Sequence, residues 1–359
     1  VRTIVLIHGF LGSPTSWREV ERHLPEVDAV HEIALPGHGL PPSRSLAEDF
    51  DAYIEGLARS LEEVTAARAV LAGYSMGARV ALHLALRIPQ QIRAALLLGV
   101  DPGLDDAFQR GERRRWEEKL QATLRTQGLE RFVASWESLP LFASQRELSP
   151  EAQERQRRIR LEHDPIALAA ALDILGLGRM PSAWPALLGL RSPPLRVLAG
   201  AQDAKFAAIG RRIAALAPAS TFEEVPGAGH NLILEAPERV AKEIGALLDA
   251  KNDAKETGLG REVVLWSEEP VQAAERLALA AADFFDESYE DDGRTLEGPT
   301  CSLWLTWNGA RAARHIRIHS GQGFETPDSR IEVLEIAQRG GRGFARLRIV
   351  PVRRKVPMP

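Results

Sequence analysis

The five residues Gly73-Tyr-Ser-Met-Gly77 constrain this chain more than any other stretch, because a short apolar run, residues 69–72, enters them and a helical pattern, residues 78–87, leaves them. A serine on so sharp a strand-to-helix turn takes strained backbone angles, and side chains two positions to either side would collide with the turn or with neighbouring strands. Glycines at 73 and 77 remove those collisions. Such a turn belongs at the carboxyl end of a sheet strand, and the chain offers several strands. Residues 3–7, 30–35, 69–72, 94–99 and 195–200 are brief, β-branched or leucine-rich, and closed by glycine or proline. Helical patterns over 46–66 and 78–87 lie between them, so the succession reads β-α-β-α. That order implies an α/β fold with a mostly parallel sheet covered on both faces.

The alternation stops between about residues 103 and 193. Residues 116–128, 129–138, 149–163 and 166–175 read as helices punctuated by Pro140, Pro165 and Pro181, which predicts a helical lid between two strands. The lid carries Arg110, Arg113, Arg114, Arg115, Arg155, Arg157, Arg158 and Arg160; arginine runs of this kind ordinarily form a solvated helix face. The alternating unit ends near residue 250, and at 359 residues the chain has room for a second domain. The predicted organisation is a first domain over 1–250, a polar linker over 251–260 and an accessory α+β domain over 261–359. In the last, residues 262–266, 301–307, 313–320, 331–337 and 345–350 read as strands, and 271–287 as a helix opened by Pro270. Asn308-Gly309 and Gly340-Gly341 are the expected hairpin turns. Residues 261–300 hold 3 basic and 11 acidic side chains, whereas 301–359 hold 11 and 4, so two mutually attracting halves are expected.

Three classes of function are disfavoured. With 45 Lys and Arg against 49 Asp and Glu, the net charge of −4 offers no electrostatic footprint for nucleic acid. Arg339-Gly-Gly-Arg-Gly-Phe344 has the look of an RNA-binding RGG segment but reads better as a glycine turn between strands. No run approaches the roughly 18 apolar residues of a membrane span, and the first apolar run leads into His8-Gly9 rather than a cleavage site, so neither a span nor a leader is expected. A single cysteine, Cys301, makes no internal disulfide; it is expected to be buried or inert and fits a reducing, cytoplasmic compartment. His315, Arg317 and His319 share one strand face, which is better explained as solvated than as a metal site; no metal or cofactor is expected.

Ser75 is the expected nucleophile or base, and its partners should follow in the order acid, then histidine. Asp203 lies just past the run 195–200, and His230 follows the short run 221–225 in Pro226-Gly-Ala-Gly-His-Asn231. A neutral imidazole at His230 takes the Ser75 proton if the Asp203 carboxylate holds its other nitrogen. His8-Gly-Phe-Leu-Gly12 follows the first strand and has the form of a loop supplying one oxyanion-hole amide. The expected donors are the backbone N–H groups of Phe10 and Met76, which are fixed before charge develops. Pro36-Gly-His-Gly39 is read as a structural loop.

Taken together, these motifs resemble the α/β-hydrolase superfamily over roughly residues 1–250. Within it, His8-Gly-Phe-Leu-Gly12, Gly73-Tyr-Ser-Met-Gly-Ala-Arg79 and Asp203-Ala-Lys-Phe206 resemble the 2-succinyl-6-hydroxy-2,4-cyclohexadiene-1-carboxylate synthases of menaquinone biosynthesis, the MenH family; Asp101-Pro-Gly-Leu104 and Pro140-Leu-Phe-Ala-Ser144 are similar too. The resemblance implies a cofactor-free lyase that abstracts a proton from 2-succinyl-5-enolpyruvyl-6-hydroxy-3-cyclohexene-1-carboxylate and eliminates pyruvate. It also implies a polycarboxylate substrate met by Arg79, Arg113 and Arg160, with Tyr74 and Trp136 lining the pocket. Guanidinium groups suit this task because they bind carboxylates bidentately and stay charged when desolvated. Ala78 stands where many members carry a second glycine, and Ala34 where the superfamily often has aspartate. The same triad also serves ester, thioester or carbon-carbon bond hydrolysis, and an interaction protein acting through the accessory domain is the remaining alternative. For residues 261–359 no family resemblance is identified, and their function is left open.

Overall fold

The apolar runs of the first 250 residues form one sheet. In this computed structural model they are β1 (Thr3–Ile7), β2 (Ala29–Ile33), β3 (Ala69–Tyr74), β4 (Ile92–Leu98), β5 (Leu195–Gly200) and β6 (Ser220–Val225). The structure describes residues 2–39, 47–64, 68–188, 190, 192–250, 261–266, 271–274, 277–291, 294–307, 314–325, 329–339 and 342–351. All six strands are parallel, in the order β2-β1-β3-β4-β5-β6. Although the central runs are apolar throughout, alternate residues enter different cores. Val5, Ile7, Leu71, Leu97 and Val197 join one cluster, and Ile4, Leu6, Val70, Leu96 and Leu198 the other. Alternation in a sheet covered on both faces explains why these strands read as unbroken apolar runs. Truncating one fully buried leucine here, Leu71 or Leu96, costs about 2–5 kcal/mol.

Eleven helices appear among the described residues of this part: α1 (Arg18–Glu21), α2 (Phe50–Val64), α3 (Met76–Arg87), α4 (Ala107–Gln127), α5 (Leu129–Glu137), α6 (Pro150–Leu161), α7 (Pro165–Leu175), α8 (Trp184–Leu187), α9 (Ala204–Leu216), α10 (Leu232–Glu235) and α11 (Pro237–Asp249). The first core packs α2 and α3 on one face, and the second packs Trp17, α1 and α11 on the other. Caps set the starts. Asp49 Oδ1 accepts the Ala52 N–H at 2.8 Å, so α2 opens at Phe50 rather than at residue 46. Asp106 accepts the Gln109 N–H at 2.8 Å and opens α4 nine residues before the expected start, because its arginine-rich first turns carry no apolar spacing. Ser149 and Asp164 cap α6 and α7 in the same way, each with proline at the first helical position. Between β4 and β5 the described residues hold helices and a 3-10 segment, Pro140–Glu147, but no strand.

The chain separates into two compact units, Val1–Ala250 and Lys251–Pro359. The second is built from two antiparallel sheets, ordered β11-β10-β9-β8 and β12-β13-β14-β7. Its strands are β7 (Arg261–Trp266), β8 (Val271–Ala274), β9 (Leu277–Asp291), β10 (Arg294–Trp307), β11 (Arg314–His319), β12 (Gly323–Glu325), β13 (Ser329–Arg339) and β14 (Arg342–Pro351). Residues from both sheets, among them Val263, Leu279, Leu303, Ile318, Val333 and Leu347, share one core. Where the sequence predicts a helix over 271–287, and hence an α+β unit, the chain forms β8 and β9, and no helix occurs among the unit's described residues. The alanines at 278, 280, 281 and 282 favour helix locally, but pairing along β10 and burial of Leu279 and Ala281 override that preference. The expected linker, 251–260, and the turns Asn308-Gly309 and Gly340-Gly341 lie outside the described residues.

Candidate active site

Ser75 sits on the connection from β3 to α3 with φ 51° and ψ −108°, a left-handed conformation that costs a non-glycine residue about 1–3 kcal/mol. Its N–H donates to Leu98 O at 2.8 Å and its carbonyl accepts the Arg79 N–H at 3.2 Å, so strand and helix both hold the turn. The flanking glycines are required by close approach. A Cβ at Gly73 would lie 2.4 Å from Gly77 O, and one at Gly77 would lie 2.2 Å from Ile7 O.

The structure brings the three expected side chains together across strand ends. His230 Nε2 lies 3.0 Å from Ser75 Oγ, and His230 Nδ1 lies 2.7 Å from Asp203 Oδ2. Asp203 also caps α9, its Oδ1 accepting the Phe206 N–H at 3.3 Å, which fixes the carboxylate that faces the imidazole. Both Asp203 and His230 are buried, whereas Ser75 is half-buried. The Phe206 ring lies 4.5 Å and the Tyr74 ring 5.4 Å, centroid to centroid, from the imidazole.

A cavity of about 320 Å³ opens beside Ser75 and His230 and is also lined by Phe10 and Met76. Met76 opens α3, where first-turn amides lack intrahelical acceptors. The loop that carries Phe10 is held by histidines. His38 Nε2 accepts the Leu11 N–H at 3.1 Å, and His8 Nε2 accepts the Leu35 N–H at 3.1 Å. Each acceptor role requires a neutral ring. Burial pushes His8 down to about 4 and His38 well below its ordinary value; His163, 5.3 Å from His38 between ring centroids, is lowered in the same way.

Arg79, Arg113, Arg160, Tyr74 and Trp136 all line this cavity. Their electrostatic situations differ. Arg113 Nε donates to Glu117 at 2.7 Å and stacks over Trp116, and Arg160 donates to Glu137 at 2.9 Å and to Gln145 Oε1 at 3.0 Å. Arg79 is buried and donates to the Leu175 carbonyl at 3.0 Å; among the described residues no carboxylate forms an ion pair with it. Burial first, then repulsion from Arg113, pushes its guanidinium down to about 10 against the attraction of nearby Glu117 and Asp101; it remains a cation with no carboxylate in direct contact among the described residues. Trp136 closes one wall in an aromatic cluster with Phe10, Phe132 and Phe142, at ring-centroid distances of 5.3, 5.9 and 5.6 Å. Burial raises the Tyr74 hydroxyl.

Further polar groups, to which the sequence assigns no role, complete the site. Buried Glu117 accepts the Leu177 N–H at 2.8 Å and the Gly178 N–H at 3.2 Å while it holds Arg113. Its spacing of four from Arg113 signals a helix pair, but nothing in the sequence announces the loop some sixty residues on. Lys205 Nζ lies 3.4 Å from buried Asp101 at the cavity wall, and Asn231 lines the cavity beside His230.

Elsewhere, Cys301 is buried and its thiol is pushed up to about 12 by burial. On the strand face of β11, Arg317 donates to Thr300 Oγ1 at 2.8 Å and to the Asp283 carbonyl at 2.7 Å, and His319 Nδ1 lies 3.1 Å from Ser320 O. The side chain of His315 lies outside the described residues, and among those described no cluster of three His, Cys, Asp or Glu side chains is arranged to hold a metal. No described helix is long and apolar enough to cross a membrane.

Residues 4–243 match the Alpha/beta hydrolase family. A Bacillus subtilis (strain 168) protein, provisionally named a 2-succinyl-6-hydroxy-2,4-cyclohexadiene-1-carboxylate synthase, is 34% identical over 247 residues, 68% of this chain and 89% of that one. The synthase of that name from Escherichia coli O1:K1 is 31% identical over 245 residues, 68% of this chain and 93% of its own. The solved structure of MenH from S. aureus superposes with a TM-score of 0.63 at 34% identity, covering 69% of this chain and 93% of that chain. All three matches span about two thirds of the chain.

Proposed function

The chain belongs to the alpha/beta hydrolase family through residues 4–243, and from that premise we propose that it is a carbon-oxygen lyase that forms 2-succinyl-6-hydroxy-2,4-cyclohexadiene-1-carboxylate by eliminating pyruvate. Its synthase-named relatives support the substrate. The observation that carries the reading is the pairing, in one cavity, of the Ser75-His230-Asp203 unit with a buried arginine, Arg79, that no carboxylate of the described residues meets directly. A buried cation with no carboxylate in direct contact is costly, and a substrate carboxylate would supply that contact. Arg113 and Arg160 are already paired with Glu117 and Glu137, so they offer a second carboxylate their remaining N–H donors rather than an uncompensated charge.

In the proposed reaction, Ser75 Oγ removes a ring proton as its own proton passes to His230 Nε2, and Asp203 stabilises the imidazolium through Nδ1–H. The electron pair of the broken C–H bond builds on an oxygen that the Phe10 and Met76 amides receive. Collapse of that enolate-like state forms the ring double bond and breaks the C–O bond to the enolpyruvyl group. The departing enolpyruvate takes up on carbon the proton that the His230 imidazolium gives back, which restores the neutral imidazole, and becomes pyruvate; no acyl-enzyme forms. The lone thiol of Cys301 fits a reducing compartment, and the proposal places the reaction in the cytoplasm.

The strained elbow favours one second reading. Ser75 Oγ at 3.0 Å from the imidazole is also poised to attack an ester or thioester carbonyl. Parallel assays of pyruvate release from the cyclohexene substrate and of p-nitrophenyl ester hydrolysis separate the two. Rapid pyruvate release supports the lyase, and rapid ester turnover without pyruvate overturns it.

A further inference from the structure

We infer that Glu235 is a positioning residue for His230, an inference that rests on the Ser75-His230-Asp203 reading above. His230 lies between β6 and the four-residue α10, so no long element fixes its backbone. Glu235, at the end of α10, folds back and grips both neighbouring peptide groups. Its Oε2 accepts the Gly229 N–H at 2.7 Å and its Oε1 accepts the Asn231 N–H at 2.9 Å. One carboxylate thus brackets the histidine from either side. The Leu234 and Glu235 N–H groups close the ring by donating to Asn231 O at 3.0 and 2.8 Å. Ser144 packs so close to Gly229 that a Cβ built there would lie 2.0 Å from Ser144 Oγ and 3.1 Å from Glu235 Oε2.

The bracket matters because the imidazole must satisfy two partners that come from distant parts of the chain. Asp203 stands 27 residues and Ser75 155 residues away in sequence, at 2.7 and 3.0 Å from the two ring nitrogens. A rigid ring meets both distances only if its backbone is held, and a misplacement of about 1 Å can cost about a hundredfold in rate. Glu235 is suited to the task because an ionised carboxylate has two acceptor oxygens for two N–H donors. Glutamine offers one oxygen and turns an NH2 toward the other amide; aspartate keeps the charge but is one methylene short.

The test compares Glu235→Gln and Glu235→Asp with the parent chain. Both are expected to lower kcat for pyruvate release by about tenfold to a hundredfold while KM stays within about twofold, because the reacting geometry and not the substrate contacts is disturbed. Proton NMR supplies an arm that needs no substrate. The low-field His230 Nδ1–H signal, identified by its loss in Asp203→Asn, should broaden in both variants. Parent-like kcat and a parent-like signal in either variant would overturn the inference, as would a loss confined to KM. Full activity in Glu235→Asp with loss in Glu235→Gln would show a requirement for charge alone and would also overturn it. If the parent chain releases no pyruvate, the lyase reading fails and the NMR arm still decides the role of Glu235.

Discussion

The two compact units bury apolar side chains in the same way and treat ionisable ones differently. In Val1–Ala250, His8, His38, Arg79, Asp101, Glu117, Arg160, His163, Asp203 and His230 are all buried; in the second unit, the buried polar groups among the described residues are Thr300, Ser302 and His319, with the thiol of Cys301. Desolvating an ionisable group costs free energy that neither a sheet nor a sandwich needs for its own stability. In the first unit, Arg79, Asp101, Glu117, Arg160 and His230 line one cavity together with Ser75 and Arg113. The second resembles an ordinary β-sandwich core, with nothing comparable among its described residues. On the proposed function the chemistry belongs to the first unit, which sets what should happen when either unit is disturbed.

The largest effect should follow from removing the serine. Ser75→Ala should lower kcat by about 10⁴-fold or more with little change in folding stability, and steady-state pyruvate release measures it. Near-normal turnover would break the comparison at its centre. Arg79→Met should lower kcat/KM by about a hundredfold, because a substrate carboxylate loses a buried cation that no carboxylate of the described residues contacts, while Arg113→Met, which leaves Glu117 with its two backbone N–H donors and no paired cation, should also lose stability.

Acid should act on the first unit selectively. His8 is held at about 4 by burial against an ordinary 6.5, and His38 and His163 are shifted in the same direction. A histidine whose native pKa is depressed binds its proton more readily in the unfolded chain. Its contribution is therefore intact above the unfolded value and is lost as pH falls from there toward the native value. For His8 the span corresponds to about 3 kcal/mol. Urea midpoints should fall as pH drops from about 7 to about 4, and His8→Asn, which keeps an acceptor for the Leu35 N–H, should flatten the dependence. A midpoint independent of pH would mean that these rings are not buried neutral. The smallest effect should come from ending the chain at Ala250: kcat/KM for pyruvate release should stay within about twofold, since the triad and the cavity lie in the first unit. A large loss would erase the division of labour.

Much of the first unit was legible because local rules and tertiary structure agree there. The glycines around Ser75 announce a turn that no other residues tolerate, and the order Ser75, Asp203, His230 follows from where parallel strands end. The helix starts were harder. Asp49 and Asp106 decide them, and a cap is visible only once the chain direction beyond it is known. The support around the site was not legible at all. Glu117 reaches a loop about sixty residues on, and His38 reaches Leu11 from another strand end; such contacts have no sequence period. In the second unit the alanines at 278, 280, 281 and 282 favour helix, and only pairing with β10 overrides them.

The central claim is that a substrate carboxylate completes Arg79 within reach of Ser75. A crystal structure of the Ser75→Ala chain soaked with the cyclohexene polycarboxylate tests it most directly. The account predicts a carboxylate at hydrogen-bond distance, about 2.7–2.9 Å, from the Arg79 guanidinium, with the ring carbon that loses its proton facing position 75 and His230. A ligand bound in the cavity with every carboxylate turned to Arg113, Arg160 or solvent, and none on Arg79, would contradict it.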